Sequence, residues 1–261
     1  MTGDAFSLDG RVAVVTGGRG QLGAEIARGL VERGARVAIF DVEQLPDHGS
    51  IRAFPIDVTD RKAIEEATAE VVDDWGPPHV LVNAAGIDSP PDAPAEEVGP
   101  FEDYPVESFD EVMAVNVKGT FLCCQVIGSR MAAAGRGSII NISSIYGMLS
   151  PVQDIYEFRR RGGQTFFKPV AYSVSKSSLY NLTRYLATYW ARSGVRVNTL
   201  TLAGVFDDQP TEFVEAYTKR MPIGRMANVE EVVGPVIFLA SDASSYVTGA
   251  NLVADGGWSA W

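Results

Sequence analysis

A chain of 261 residues has room for one sizeable α/β core, and a net charge of -11 argues against nucleic acid as a partner. It shows no apolar run near the ~20 residues that span a bilayer, and the stretch from Met1 to Gly10 resembles neither a signal nor a transit peptide. The expectation is a cytoplasmic protein without a membrane partner. Cys123 and Cys124 are adjacent in a helical pattern and read as core thiols, and neither His48 nor His79 has ligand spacing around it, so no metal site is expected.

In chain order, Arg11 to Thr16 is a β-branched apolar run and reads as a buried strand. Thr16-Gly-Gly-Arg-Gly-Gln-Leu-Gly23 follows, then an amphipathic helix from Ala24 to Arg33 that ends at Gly34. Strand, Gly-rich turn and helix make a dinucleotide cradle. The glycines let backbone approach a pyrophosphate, and the helix N-terminus offers unpaired N–H groups. Gly17, Arg19, Gln21 and Leu22 are the candidate contacts. A second strand, Arg36 to Phe40, ends in Asp41. A carboxylate there would accept hydrogen bonds from the adenosine ribose of NAD and repel the 2′-phosphate of NADP. Arg19 pulls the other way, as a cation that could meet that phosphate. Asp41 weighs more, so NAD is the expected cofactor.

The third strand, Ile51 to Ile56, leads into Asp57-Val58-Thr59-Asp60, with Asp57 and Val58 placed for the adenine and Asp60 as a cap for a helix from Arg61 to Trp75. Val80 to Val82 is a fourth strand. In Asn83-Ala84-Ala85-Gly86 after it, small residues leave room for a flat cofactor. Residues 88–104 read as a surface loop, and a helix from Val106 to Ala134 carries Asn116. A fifth strand, Gly137 to Ile142, ends in Ser143-Ser144-Ile145-Tyr146-Gly147. This alternation predicts a single α/β domain, a Rossmann-type doubly wound parallel sheet with ligands beyond the C-terminal strand ends. Gly17, Asp41, Asp57, Asn83 and Ser144 all fall at such ends.

Tyr172 and Lys176 stand four apart in a helical pattern that runs to Trp190, so they share a face. Lowering a phenol from its ordinary ~10 to ~7 takes about 4 kcal/mol. One ammonium about 4 Å away, at an effective dielectric of ~20, supplies roughly that much. The pair could therefore serve as general acid–base at an alcohol oxygen; alone, it reads equally as a solvated helix face. A strand from Val195 to Leu200, the segment Leu202-Ala203-Gly204-Val205, a helix from Thr211 to Arg220, another from Val232 to Ser241 and a last strand from Asn251 to Val253 complete the chain.

The turn 16–23, Asp57, Asn83-Ala-Ala-Gly86, Asn116, Ser144, Tyr172, Lys176, Arg196-Val-Asn198 and Asp255-Gly-Gly257 together resemble the classical short-chain dehydrogenase/reductase family over nearly the whole length. The resemblance implies that Tyr172 moves the proton, Ser144 holds the substrate oxygen, Lys176 binds the nicotinamide ribose and tunes Tyr172, Asn116 props a relay water, and Val205 backs the cofactor. It implies an NAD-dependent oxidoreductase interconverting a secondary alcohol and a ketone, assembled as a homotetramer through its C-terminal region.

There are departures from the family pattern. Gln21 stands at the second glycine position, and the spacing Gly17, Gly20, Gly23 matches the extended branch of epimerases and dehydratases, whose substrate domain this chain is too short to hold. Leu202-Ala203 replaces the usual Pro-Gly. An insertion at about 151–168, aromatic and basic, separates Ser144 from Tyr172, and a lid spans about 203–220. Both features are similar to dehydrogenases of flagellin-glycan and surface-sugar pathways. They point to a sugar-like small-molecule substrate touching Tyr146, with Arg159, Arg160 or Arg161 holding a phosphate, sulfonate or carboxylate. Otherwise the insertion is a solvated loop pairing with acids such as Asp154 and Glu157. The alternatives are a neutral polyol, cyclitol or 3-oxoacyl-type reductase, a cofactor-retaining sugar epimerase or dehydratase, and a non-catalytic NAD-binding module.

Overall fold

A computed structural model describes residues 4–44, 46–88 and 97–261, so residues 89–96 of the expected surface loop 88–104 lie outside the described residues. Seven strands form one parallel sheet: β1 (Val12–Thr16), β2 (Arg36–Asp41), β3 (Ile51–Pro55), β4 (Val80–Asn83), β5 (Gly137–Ser144), β6 (Val195–Leu202) and β7 (Asn251–Ala254). Their order is β3-β2-β1-β4-β5-β6-β7. The direction of winding reverses between β1 and β4, which opens a crevice beyond their C-terminal ends. Central strands are buried on both faces, which is why they read as unbroken apolar runs rather than alternating ones.

Helices α1 (Gln21–Glu32), α2 (Arg61–Trp75), α3 (Val106–Met113), α4 (Thr120–Ala133), α5 (Ile145–Met148), α6 (Glu157–Arg161), α7 (Val170–Trp190), α8 (Thr211–Thr218) and α9 (Val233–Ala240) flank or cap the sheet. On one face Val14, Phe40 and Ile139 pack against α2, α4 and α7. On the other, Val15, Val82 and Ile140 pack against α1 and α9. Asp60 caps α2 by accepting from the N–H groups of Lys62 and Ala63. Helix α1 begins at Gln21, three residues earlier than expected, because Gly20 takes the extended N-cap conformation and draws Gln21 and Leu22 into the first turn.

The helix expected from Val106 to Ala134 is divided. A π-helical turn, Ala114–Gly119, separates α3 from α4 and contains Asn116. By length and composition the stretch Val106–Ala133 could cross a membrane, contrary to the expectation of no such run; half of its most apolar window is buried inside the fold. Leu122, Cys123, Ile127 and Met131 are spent on the core, which accounts for the composition. A third cluster, including Tyr146, Ile155, Tyr156, Phe166, Tyr217 and Trp258, ties the insertion to α8 and the C-terminal segment above the strand ends. The insertion is therefore folded: a 3-10 turn at Gln153–Tyr156, then α6, then a return pinned by Lys168 N–H to Gln153 Oε1.

Candidate active site

The turn after β1 is tight for a definite reason. Gly17 has φ +69°, and a Cβ there would stand 2.7 Å from Ala85 Cα; a Cβ on Gly23 would stand 2.1 Å from Gly17 O. Thr16 Oγ1 accepts from the N–H groups of Ala84 and Ala85, locking the ends of β1 and β4 together. The bare backbone of this cradle and the N-terminus of α1 fit a dinucleotide pyrophosphate. At the end of β2, Asp41 Oδ2 accepts from the Arg19 N–H at 2.9 Å and Oδ1 from the Glu43 N–H at 3.3 Å. The Arg19 guanidinium, weighed above as a phosphate ligand, pairs with Glu43 at 2.8 Å.

Gln21, Leu22, Ala84, Gly86 and Val205 line a cavity of about 400 Å³ at the crevice. Gln21 Nε2 donates to Phe206 O at 2.6 Å, so the residue that replaces a glycine ties the turn to the lid. One expected side-chain contact is corrected. The Asn83 side chain turns into the sheet, donating to Asn141 Oδ1 at 2.8 Å and Cys124 Sγ at 3.3 Å, so it faces away from the crevice. The Val58 side chain is buried against the π-helical turn, where a Cβ on Gly119 would stand 2.6 Å from its Cγ2. Asp57 is exposed at the end of β3, where its Oδ1 accepts from the Thr59 N–H.

Ser144, Tyr172 and Lys176 line one cavity. Ser144 ends β5 and caps α5 through the Tyr146 N–H, while its carbonyl accepts from Tyr180 Oη at 3.1 Å. Helix α7 is held against β5 by Ser143 Oγ, which donates to Lys176 O, and by the close approach of Gly147, where a Cβ would meet Lys176 C at 2.6 Å. Lys176 Nζ donates to Ile142 O at 3.1 Å and lies 5.8 Å from the centre of the Tyr172 ring. Burial pushes its pKa down to about 8, opposed by the nearby Asp88 carboxylate. Asn116 Oδ1 accepts from the Ile87 N–H, and its Nδ2 donates to Ile87 O and Ser175 Oγ. Both donors of this amide are spent, so the side chain splints the β4 loop to α7.

The expected acidification of Tyr172 is reversed in the protein alone. Burial raises its pKa above the ordinary phenol value, Asp88 raises it further, and the Ser144 hydroxyl works against both. Desolvation, which the residue spacing does not reveal, is the largest influence on this phenol.

On the substrate side, Tyr146, Tyr156, Phe166, Phe213 and Tyr217 form the walls. Tyr146 is 8% exposed, and its hydroxyl has no hydrogen-bond partner of good geometry among the described residues. The three arginines divide. Arg159 lines the cavity. Arg160 does not: it donates to Glu157, Phe166 O and Gln153 O and braces the insertion. Arg161 is 79% exposed and turned toward Glu157. Sequence reasoning missed Asp88, whose carboxylate takes two hydrogen bonds from Lys168 Nζ beside Tyr172. It also missed Tyr180, one helical turn beyond Lys176, a spacing that was available as a signal. A larger hollow of about 930 Å³ lies across Tyr146 and Lys168, but Ser144, Tyr172 and Lys176 do not line it, so the chemistry belongs to the smaller cavity.

This geometry, a glycine cradle beside a buried Ser, Tyr and Lys at the sheet's switch point, defines a dinucleotide-dependent oxidoreductase. Residues 19–259 match a family profile described as enoyl-(acyl carrier protein) reductase. The chain is 34% identical over 97% of its length to D-threitol dehydrogenase of Mycolicibacterium smegmatis, covering 94% of that protein. It is 33% identical to gluconate 5-dehydrogenase of Gluconobacter oxydans, covering 97% of this chain and 96% of that one. A crystal structure of a short-chain dehydrogenase from Leptospira borgpetersenii with bound NAD+ superposes with a TM-score of 0.87 at 34% identity, over 99% of this chain and 96% of that one. The chain belongs to the short-chain dehydrogenase/reductase family, a family of NAD(P)-dependent enzymes.

Proposed function

We propose that the protein is an NAD-dependent dehydrogenase that interconverts a secondary alcohol and a ketone on a sugar or polyol. The observation that carries this is the convergence of Ser144, Tyr172 and Lys176 in one cavity beside the cradle. A bound nicotinamide would supply the hydride acceptor or donor. The Ser144 hydroxyl holds the substrate oxygen, and Tyr172 Oη gives or takes its proton. Lys176, held by Ile142 O, brings a positive charge beneath Tyr172. In the protein alone Tyr172 keeps its proton, the state that protonates a ketone oxygen during reduction.

NAD is favoured over NADP because Asp41 and Glu43 put two carboxylates at the end of β2 and Glu43 occupies the Arg19 guanidinium. A polyhydroxylated substrate is supported by the polar and aromatic lining and by relatives whose names specify threitol and gluconate. The narrower reading, a dehydrogenase of flagellin-glycan or surface-sugar pathways, has only the insertion and the Phe206–Pro210 lid in its support. The assembly proposed is a homotetramer. Tyr185 and Tyr189 stack on each other while 64% and 67% exposed on α7, and Tyr246 and Trp261 are exposed near the C-terminal end.

NADH formation across a panel of alditols, cyclitols and sugar acids tests the reading. Turnover is expected with at least one polyhydroxylated substrate, with NAD preferred about tenfold or more, since charge-assisted hydrogen bonds to Asp41 are worth ~1.5–3 kcal/mol. Equal use of NADP, or reduction of 3-oxoacyl thioesters alone, would overturn it.

A further inference from the structure

The serine of the site is held at both of its oxygens. Ser144 ends β5 with extended backbone, φ -131° and ψ 155°. Its Oγ accepts from the Tyr146 N–H at 3.2 Å, and its carbonyl oxygen accepts from Tyr180 Oη at 3.1 Å. A serine hydroxyl has one proton and two lone pairs. The Tyr146 N–H meets a lone pair and leaves the proton for a substrate oxygen. Where that proton points depends on how the peptide group of Ser144 is set, and the Tyr180 phenol grips that group. We infer that Tyr180 is a positioning residue that aims the Ser144 hydroxyl at the reacting oxygen. This deepens the alcohol-dehydrogenase reading and rests on it.

Tyr172, Lys176 and Tyr180 recur every fourth residue on α7, so one stripe of the helix presents all three to the strand ends. The same stretch of helix is docked to the end of β5 on either side of Ser144. Ser143 Oγ donates to Lys176 O at 2.9 Å, and a Cβ on Gly147 would meet Lys176 C at 2.6 Å. Tyr180 therefore reaches Ser144 from a helix already fixed against the strand. The phenol oxygen is itself located. Thr201 Oγ1 of β6 lies 2.9 Å from it, and Asn251 Oδ1 of β7 lies 2.6 Å beyond Thr201 Oγ1. Tyr180 does not line the cavity, so its influence on the substrate runs through Ser144. Negative charge gathers on the substrate oxygen in the transition state between alcohol and ketone, and a well-aimed donor is worth most at that point. A badly aimed hydroxyl thus costs rate more than ground-state binding.

Tyr180→Phe keeps the ring and removes the tether. Single-turnover NADH formation is followed by stopped flow with D-threitol, or with the first alditol, cyclitol or sugar acid that wild type oxidises. The rate at saturating substrate is expected to fall about fivefold, the equivalent of about 1 kcal/mol, with the half-saturating concentration and NADH affinity unchanged. A double-mutant cycle separates aiming from bracing. In the Ser144→Ala background the same Tyr180→Phe change should cost little more, because the group it positions is gone. An unchanged rate in Tyr180→Phe, an equal fold-loss in both backgrounds, or a loss confined to half-saturation would overturn the inference. Amide exchange read by NMR tests the tether without turnover. The Tyr146 N–H, held by Ser144 Oγ, is expected to exchange about fivefold faster in Tyr180→Phe. The Val37 N–H, bonded to Ser50 O on the far side of the sheet, should not change. An unchanged Tyr146 rate would overturn the tether. Faster Tyr146 exchange in a protein that oxidises no member of the panel supports the tether and fails the dehydrogenase reading. Turnover left intact by Tyr180→Phe does the reverse.

Discussion

Gln21 shows how one side chain can change what a motif does. Where the family pattern has glycine, its amide crosses to Phe206 O and fastens the lid loop, whose own path is kinked at Asp208, φ +52°. Losing one hydrogen bond of this kind costs about 1 kcal/mol, or about fivefold in an equilibrium constant. Gln21→Ala is expected to release NADH several-fold faster in a stopped-flow fluorescence experiment, and an unchanged rate would mean that the lid closes without this tie. At this scale the shared helix face of Tyr172 and Lys176 was legible from spacing, while the role of Ser144 came only through the family resemblance. The direction of Asn83 was not, because adjacent residues on a strand face opposite sides and the sequence does not say which side is the crevice. Nor could it separate Arg159 from Arg160 and Arg161, since the rotation of α6 against the fold decides which one meets the cavity.

Elements were more legible where burial fixes their pattern. The seven strands were expected within a residue or two of where they lie, because runs such as Val-Ala-Val-Val-Thr are buried on both faces. Helix α7 followed from its spacing. The π turn at Ala114–Gly119 was hidden, since Val115-Asn-Val-Lys-Gly reads as continuous helix and the turn answers to a tertiary demand, the engagement of Asn116 with Ile87 and Ser175. The order within the insertion was hidden too. It depends on Tyr156 meeting both Phe166 and Phe213 of α8, the latter a contact between segments far apart in sequence.

For the whole molecule, strand–helix alternation foretold a parallel doubly wound sheet, and that is the sheet observed. The third cluster, which joins the insertion, α8 and the C-terminal Trp258 through Phe213 and Tyr217, makes the substrate side one cooperative body. Assembly belongs to this scale. The exposed Tyr185, Tyr189, Tyr246 and Trp261 are expected to be covered in a homotetramer, and light scattering at micromolar concentration should report about four times the mass of one 28.1 kDa chain. A monomeric mass would refute that assembly.

The central claim is that Tyr172 moves the proton in an NAD-dependent oxidation or reduction. Tyr172→Phe removes the reacting oxygen and leaves the ring packed between Lys168 and Lys176. General acid–base catalysis is worth ~10² to 10⁴ in rate. The most direct measurement is kcat for the variant beside wild type on a common substrate, with NADH affinity read by fluorescence in the same preparations. The account predicts a kcat lower by about a hundredfold or more with NADH affinity preserved; near-normal turnover in the variant would contradict it.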